Sequence, residues 1–315
     1  MNKTICEILG REVTQWEDEE GRFHTLVTCR EYIRNLRKKY PRVDGKEWTP
    51  VGTPWVASRG ESRESELSVY EPPKICGDLG WVRAVLWEIV GPLSRLAEFQ
   101  SKRDLFDYAA AEWLLRYILG QEEQGLHYVS DGNKSVIAFG DASYASEWDY
   151  RSRSGGLATL AGGVIASYSE RQRVPSTSTN EAESRCLSTI INVSKSIHNF
   201  LKEIPVHESN ELLSGLAGEP PTIYIDNSAT VLGANTNIFS RRQRHLEVKL
   251  AHINHEVKEG NVRVYHIRDA ENSADINTKP KSLGPFKEKR DAIRNSTFVK
   301  GLKTVDTRFF GMKPK

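Results

Sequence analysis

Four acidic residues stand where carboxylates are uncommon, at the ends of apolar runs or near predicted helix starts. Asp141 closes "SVIAFGD", and Asp226 closes "TIYID". Glu183 lies early in a long predicted helix, and Asp275 lies in "NSADINTK". If the four carboxylates meet, they cannot all stay ionised without cations, and oxygen-only ligands suit Mg²⁺ or Mn²⁺. Two such ions can activate water and stabilise the leaving oxygen of a phosphodiester.

Glu183 is the most informative of the four because of its position on a helical wheel. It falls within about 80° of a set of apolar residues on the predicted inner face, namely Cys186, Leu187, Ile190, Ile191, Ile197 and Leu201. A lone carboxylate in a core costs roughly several kcal/mol unless it is paired or binds a metal. At a helix start Glu183 could instead be half buried, but its position favours a functional role.

Each aspartate also has a simple structural explanation. Asp141 fits a turn residue, and Asp226 fits the N-cap of a helix that begins at the next residue or the one after it. Asp275 fits the first turn of a helix capped by Asn272, where the helix dipole favours negative charge. Taken singly these explanations are preferred, whereas all four carboxylates together are explained most economically by one metal cluster.

The composition leaves several classes of function open and argues against others. The chain has 315 residues, a net charge of +2 and a pI of about 8.2, which permits a nucleic-acid partner without requiring one. Its cysteines show no C-x-x-C spacing and suit a reducing compartment, and they are Cys6, Cys29, Cys76 and Cys186. The segment "WVRAVLWEIVGPL" is too short and too interrupted by charge and proline to span a bilayer, and the N-terminus has no signal-peptide pattern.

From residue 134 onward the pattern predicts the order β-β-β-α-β-α-β-α. Three antiparallel strands followed by α-β crossovers give an α/β fold, a mixed five-stranded sheet with helices packed on it. A hairpin is predicted at Gly162–Gly163. Before it, residues 1–45 suggest two strands and a basic helix, residues 44–74 an extended linker, and residues 76–121 helices.

The motifs "FGDASYASEWDYRSRSGG", "STSTNEAES", "IYIDNSAT", "SRRQRHLEVKLAHINHEV" and "NSADINTKP" resemble the ribonuclease H region of copia-type retrotransposon Pol polyproteins. Upstream, "EILGREV" and "REYIRNLRKKY" resemble the end of the polymerase palm. The resemblance implies a ribonuclease H-like fold. It also implies a D-E-D-D set that holds two Mg²⁺ ions, with Mn²⁺ as a substitute, on Asp141, Glu183, Asp226 and Asp275.

The resemblance also implies a division of the chain. We expect a reverse-transcriptase palm-end remnant at 1–45, a linker at 46–75 and a helical connector at 76–130. A ribonuclease H-like domain at 131–285 and a basic tail at 286–315 follow. The chain contains no Y-x-D-D motif, so we expect no polymerase activity from it alone. The loop "RDAEN" lacks the histidine that many cellular ribonucleases H carry there, and His266 fits a strand residue better than a proton shuttle.

Several residues are candidates for nucleic-acid contact. One predicted helix begins with a cluster of basic residues, namely Arg241, Arg242, Arg244 and His245. This cluster could be a solvent-exposed basic face or a patch that binds the phosphate backbone. Asn227 could bind a sugar or base edge, or it could simply begin a helix. Arg151 and Arg153, after the first strand of the predicted sheet, could contact the backbone, and Trp148 could offer a stacking surface.

The function that these features predict is Mg²⁺-dependent endonucleolytic cleavage of the RNA strand of RNA–DNA hybrids. The expected partners are the hybrid and the rest of the Pol polyprotein, without a membrane. The expected location is intracellular, in a cytoplasmic virus-like particle or in the nucleus. One alternative is a decayed or co-opted fragment that binds nucleic acid or a protein without catalysis. A transposase or integrase of the same fold fits less well, since those sites centre on three carboxylates.

Overall fold

The computed structural model describes residues 3–56, 65–98, 105–130, 135–204, 218–236 and 247–294. These residues form an antiparallel four-stranded sheet, a mixed five-stranded sheet and the helices that pack on them. The strands of the first sheet, in spatial order, are β1 (Lys3–Ile8), β2 (Arg11–Glu17), β3 (Phe23–Thr28) and β4 (Gly125–Val129).

The first sheet differs from its prediction in two places. The run "ICEILGREVTQW" was expected to form one strand, but the chain turns at Leu9 and Gly10, which both have positive φ. It therefore forms β1 and β2 as an antiparallel pair. The strand β4 was not predicted at all, since it lies in the predicted helical connector and pairs with the distant β3.

Four helices accompany this sheet: α1 (Arg30–Lys39), α2 (Pro72–Trp81), α3 (Val90–Glu98) and α4 (Leu105–Leu119). The predicted basic helix is confirmed in α1. The described part of the predicted linker is packed rather than extended, because Trp48 and Trp55 are buried. The indole of Trp48 donates to the backbone oxygen of Tyr40 (2.6 Å), and that of Trp55 to the backbone oxygen of Ile276 (2.9 Å). The domain boundaries themselves stay a prediction.

The second sheet confirms the predicted mixed five-stranded architecture. Its strands, in spatial order, are β7 (Gly163–Arg171), β6 (Arg153–Leu160), β5 (Ile137–Ser143), β8 (Thr222–Ile225) and β9 (Arg263–His266). The first three pair antiparallel, β8 runs parallel to β5, and β9 runs parallel to β8. The β6–β7 hairpin turns at Ala161 and Gly162, whose φ values of 49° and 79° suit a tight turn.

The helices of this part are α5 (Thr179–Glu203), α6 (Ser228–Thr236), α7 (Glu247–Lys258) and α8 (Leu283–Arg294). The apolar face of α5 covers β5 and β6 and forms a core with β8, whose members include Leu187, Ile190, Ile223 and Ile225. The predicted order had one helix between β8 and β9, whereas the structure has α6 and α7 there.

The helix expected at "NSADINTKP" is a short 3-10 helix, Ser273–Asn277, whose N-cap is Asn272 as predicted. The predicted basic tail begins inside α8, which is ordered against the core because Phe286 and Ile293 are buried. Among the helices of the described ranges, none combines the length and the apolarity that crossing a bilayer requires.

Candidate metal centre

Two parallel strands bring Asp141 and Asp226 together. In the β5–β8 pair Gly140 lies opposite Ile225, so the next residue on each strand is an aspartate at the same end of the sheet. Such neighbours lie within about 5 Å across a ladder. Asp141 is buried and Asp226 is partly exposed.

Glu183 reaches the same point from the first turns of α5, and its side chain is buried as the helical wheel predicted. Its Oε1 accepts a hydrogen bond from the backbone N–H of Ala142 (3.1 Å). Its Oε2 is buried and has no hydrogen-bond partner among the described residues. One carboxylate oxygen each of Asp141, Glu183 and Asp226 lies within 4.8 Å of the other two. We call these three residues the carboxylate triad.

The electrostatics of the triad favour a bound cation. Burial raises the pKa of Asp141, and the negative charge of Asp275 raises it further. Burial likewise raises the pKa of Glu183, with the charges of Asp141 and Asp226 as further causes. Burial also raises the pKa of Asp226. Because the donors are all oxygen and one buried oxygen has no partner, the triad fits Mg²⁺ or Mn²⁺.

Neighbouring residues hold the two aspartates in place. The hydroxyl of Thr278 donates to a carboxylate oxygen of Asp141. The side-chain amide of Asn272 donates to the backbone oxygen of Gly140 (2.9 Å), which ties the loop before the 3-10 helix to β5. The Nε2–H of His266 donates to the backbone oxygen of Asp226 (3.0 Å), so this histidine acts on the backbone, in keeping with its predicted place in a strand.

Close packing at Gly155 allows this arrangement. Gly155 lies opposite Asp141 in the β5–β6 pair. A Cβ atom there would lie 2.6 Å from Cγ2 of Thr278 and 3.0 Å from Cβ of Asn277. Thr278 was not predicted as a site residue, because no sequence pattern marks a threonine that follows a helical turn.

The structure does not group Asp275 with the triad. Its carboxylate is fully buried and forms ion pairs with three lysines: Lys279 (2.8 Å), Lys281 and Lys289 (2.8 Å). Its pKa is lowered because the hydrogen bonds and charges of these lysines outweigh burial. Its expected role as a fourth metal ligand therefore stays a prediction, and the lysines were not foreseen.

The predicted nucleic-acid contacts have different outcomes. Arg241, Arg242, Arg244 and His245 lie outside the described residues. Asn227 caps α6, because its Oδ1 accepts a hydrogen bond from the backbone N–H of Thr230 (2.9 Å). Arg151 is partly exposed and forms an ion pair with Asp149 (3.1 Å). For Asn227 and Arg151 a contact with nucleic acid stays a prediction.

The prediction that Arg153 contacts nucleic acid is wrong, because this side chain is fully buried. Its guanidinium forms ion pairs with Glu147 and Glu98, both at 2.6 Å. It also donates to the hydroxyl of Ser94 (3.0 Å). Arg153 therefore links β6 to α3 and to the loop that follows β5.

The sequence comparisons match this chain to retrotransposon polyproteins. It is 28% identical over 265 residues to a retrovirus-related Pol polyprotein from transposon RE1 of Arabidopsis thaliana, which covers 82% of this chain and 17% of that protein. It is 28% identical over 159 residues to the transposon Ty1-LR3 Gag-Pol polyprotein of Saccharomyces cerevisiae. This match covers 50% of this chain and 8% of that protein. The chain spans less than a fifth of the length of either relative. No protein-family model matches it.

The chain is thus related to copia-type retrotransposon Pol polyproteins, which confirms the resemblance that its motifs indicated. Among solved structures, it is similar to LC11-RNase H1, with a TM-score of 0.35 and 17% identity over 46% of this chain and 93% of that one. The complex of LC11-RNase H1 with an RNA/DNA hybrid gives a TM-score of 0.34 and 16% identity, over 46% of this chain and 94% of that one.

Proposed function

We propose that this chain is a ribonuclease H that uses Mg²⁺ to cleave the RNA strand of RNA–DNA hybrids. The observation that carries the proposal is the carboxylate triad, with three oxygens within 4.8 Å of one another at the end of β5 and β8. The similarity to Pol polyproteins supports it, because the motifs that carry the triad resemble the ribonuclease H region of such polyproteins.

In this proposal the residues of the chain have distinct roles. Asp141, Glu183 and Asp226 would hold the divalent cation, which when bound supplies Lewis-acid activation of water and stabilises charge on the phosphate. Thr278 fixes one carboxylate, and the Ala142 N–H fixes another. The loop that carries Asn272 keeps the strand end in place. The hybrid would be recognised through backbone and 2′-hydroxyl contacts rather than through sequence.

The number of ions is part of the proposal. The triad offers ligands for one cation, while a second ion at Asp275 would require the lysines around that carboxylate to move. The two-ion arrangement and the use of Mn²⁺ therefore stay predictions. The lysine charges also offer electrostatic attraction for the phosphate backbone near the site.

A panel of labelled substrates tests the proposed function. The purified chain is incubated with Mg²⁺ and an end-labelled RNA–DNA hybrid, double-stranded RNA or double-stranded DNA of the same sequence, beside Asp226→Asn. We expect cleavage of the RNA strand of the hybrid alone, and none by the variant. If the folded wild type binds the hybrid but never cuts it with Mg²⁺ or Mn²⁺, the co-opted binding protein becomes the better account.

A further inference from the structure

The loop that joins β5 to β6 exposes three large aromatic side chains. Tyr144, Trp148 and Tyr150 are 44%, 59% and 77% exposed. Single exposed apolar side chains are common on protein surfaces, but a concentrated group of them usually marks a binding site. We call residues 144–152 the aromatic loop.

The aromatic loop is held in one conformation by its own hydrogen bonds. The N–H of Glu147 donates to the backbone oxygen of Arg151, and the N–H of Tyr150 donates to the backbone oxygen of Glu147, both at 3.0 Å. The N–H of Ala145 donates to the hydroxyl of Ser152 (3.1 Å). A loop braced in this way presents its aromatic rings with little ordering cost on binding.

Buried charges brace the loop from below. Glu147 is buried and forms an ion pair with the fully buried Arg153 (2.6 Å). Asp149 forms an ion pair with Arg171 on β7 (3.1 Å). The same Arg171 guanidinium lies 6.0 Å from the ring centre of Trp148. The charged side chains that fix the loop are thus paired with one another, and the Trp148 ring, with Arg171 beside it, is still more than half exposed.

Tyr150 adds a further sign that the loop is built for contact. Its φ of 61° is in the left-handed region, which bulky side chains seldom adopt. Because its side chain is largely exposed, the hydrogen bonds of the loop rather than side-chain packing hold this conformation. Unfavourable backbone conformations of this kind concentrate at binding and catalytic sites.

The aromatic loop starts at the end of the sheet where the triad lies. Tyr144 comes directly after β5 and follows Asp141 by three residues, so their Cα atoms are at most about 11 Å apart. A nucleic acid held at the triad would therefore pass close to the start of the loop. Aromatic rings cannot stack on paired bases inside a duplex, since neighbouring bases cover both faces, whereas an unpaired base offers its face.

We propose that the aromatic loop binds an unpaired nucleotide next to the hybrid, so that the chain prefers hybrids that end in a single-stranded extension. The proposal rests on the proposed function for its substrate class. Trp148 and Tyr150 form the stacking surface. The bracing by Arg153 and Asp149 keeps that surface in place.

Binding of two hybrids tests this proposal. Both have the same duplex and differ only in a single-stranded extension, and affinity is measured by fluorescence anisotropy without divalent cations, so that no cleavage occurs. We expect the wild type to bind the extended hybrid about tenfold more tightly than the blunt one, the magnitude typical of one stacked base. The Trp148→Ala/Tyr150→Ala variant should bind both hybrids with the affinity of the wild type for the blunt one.

Two controls make the result specific. Phe200→Ala removes an aromatic ring that is equally exposed on α5 and should keep the preference, and Trp148→Phe/Tyr150→Phe should keep most of it. Equal affinity of the wild type for both hybrids would overturn the proposal. The proposal would also be overturned if the alanine variant lost affinity for the extended and the blunt hybrid equally, since the loop would then contact the duplex in general. Unchanged affinities in that variant would also overturn it and would favour a protein partner for the loop.

The binding assay and the cleavage assay fail independently. A chain that prefers the extended hybrid but does not cut RNA contradicts the proposed function and keeps the aromatic loop as a binding site. A chain that cuts RNA without the preference keeps the proposed function and overturns this inference.

Discussion

The ammonium of Lys289 on α8 lies 2.8 Å from a carboxylate oxygen of Asp275 in the 3-10 helix, and both side chains are buried. The ammonium also donates to the backbone oxygen of Asn272 (3.1 Å) and to that of Asp269. The helix α8, which was predicted to be part of a basic tail, therefore holds the segment with Asn272 and Asp275 in place beside the triad.

Lys289→Met is expected to destabilise the chain by about 3 kcal/mol, the lower end of the range for breaking a buried ion pair. The lower end applies because Lys279 and Lys281 still neutralise Asp275. Urea unfolding measures the change. The control is Lys287→Met, since Lys287 is exposed on the same helix. Equal free energies of unfolding of the two variants would contradict a stabilising role of the buried Lys289 ion pair.

Arg153→Met is expected to destabilise the chain by about 3–5 kcal/mol, because it leaves the buried carboxylate of Glu147 without a counter-charge. Arg151→Met removes only a partly exposed ion pair with Asp149 and should change the free energy of unfolding by less than about 1 kcal/mol. Thermal or urea unfolding of the two variants compares them directly. A larger loss of stability in Arg151→Met than in Arg153→Met would contradict the importance of the buried ion pair.

Stability without divalent cations is expected to fall as the pH rises. Burial raises the pKa of Asp141 from 3.8 to about 7 and that of Glu183 from 4.5 to about 9. Between the ordinary and the raised values the folded chain binds more protons than the unfolded chain, so protonation stabilises the folded state. This contribution is complete below the ordinary pKa values and is lost as the pH rises through the raised ones.

Melting temperatures at pH 5 and pH 8, with EDTA or with Mg²⁺, measure this dependence. We expect Mg²⁺ to stabilise the chain more at pH 8, since the cation competes with protons for the carboxylates. In the Asp141→Asn/Glu183→Gln variant both the pH dependence between these values and the effect of Mg²⁺ should shrink. A wild type that Mg²⁺ stabilises equally at the two pH values would contradict this coupling.

The sequence predicted the residues of the triad because each follows a local pattern. Asp141 and Asp226 interrupt apolar strands at their ends, and Glu183 interrupts the apolar face of a helix with a period of 3.6 residues. The parallel pairing of β5 and β8 then brings the two aspartates together. Local patterns were sufficient to predict the triad because the mixed five-stranded sheet that they implied is the one that the chain forms.

Other features depend on contacts between distant parts of the chain, which no local pattern records. Arg153 was predicted to contact nucleic acid because of its place after the first strand, but it is buried. Its partner Glu98 lies on a helix of the predicted connector. The pairing of β4 with β3 joins segments far apart in sequence. Lys289 could not be assigned to Asp275 before the position of α8 was known.

The most direct test of the central claim is a single-turnover reaction started by the metal. The chain is first bound to a hybrid labelled on both strands without divalent cations, and Mg²⁺ is then added to the wild type and to Asp141→Asn. We predict that the wild type cuts the RNA strand and leaves the DNA strand intact, while the variant binds the hybrid but cuts it at least about 100-fold more slowly. An uncut RNA strand in the wild-type complex, or equal cleavage by the variant, would contradict the account.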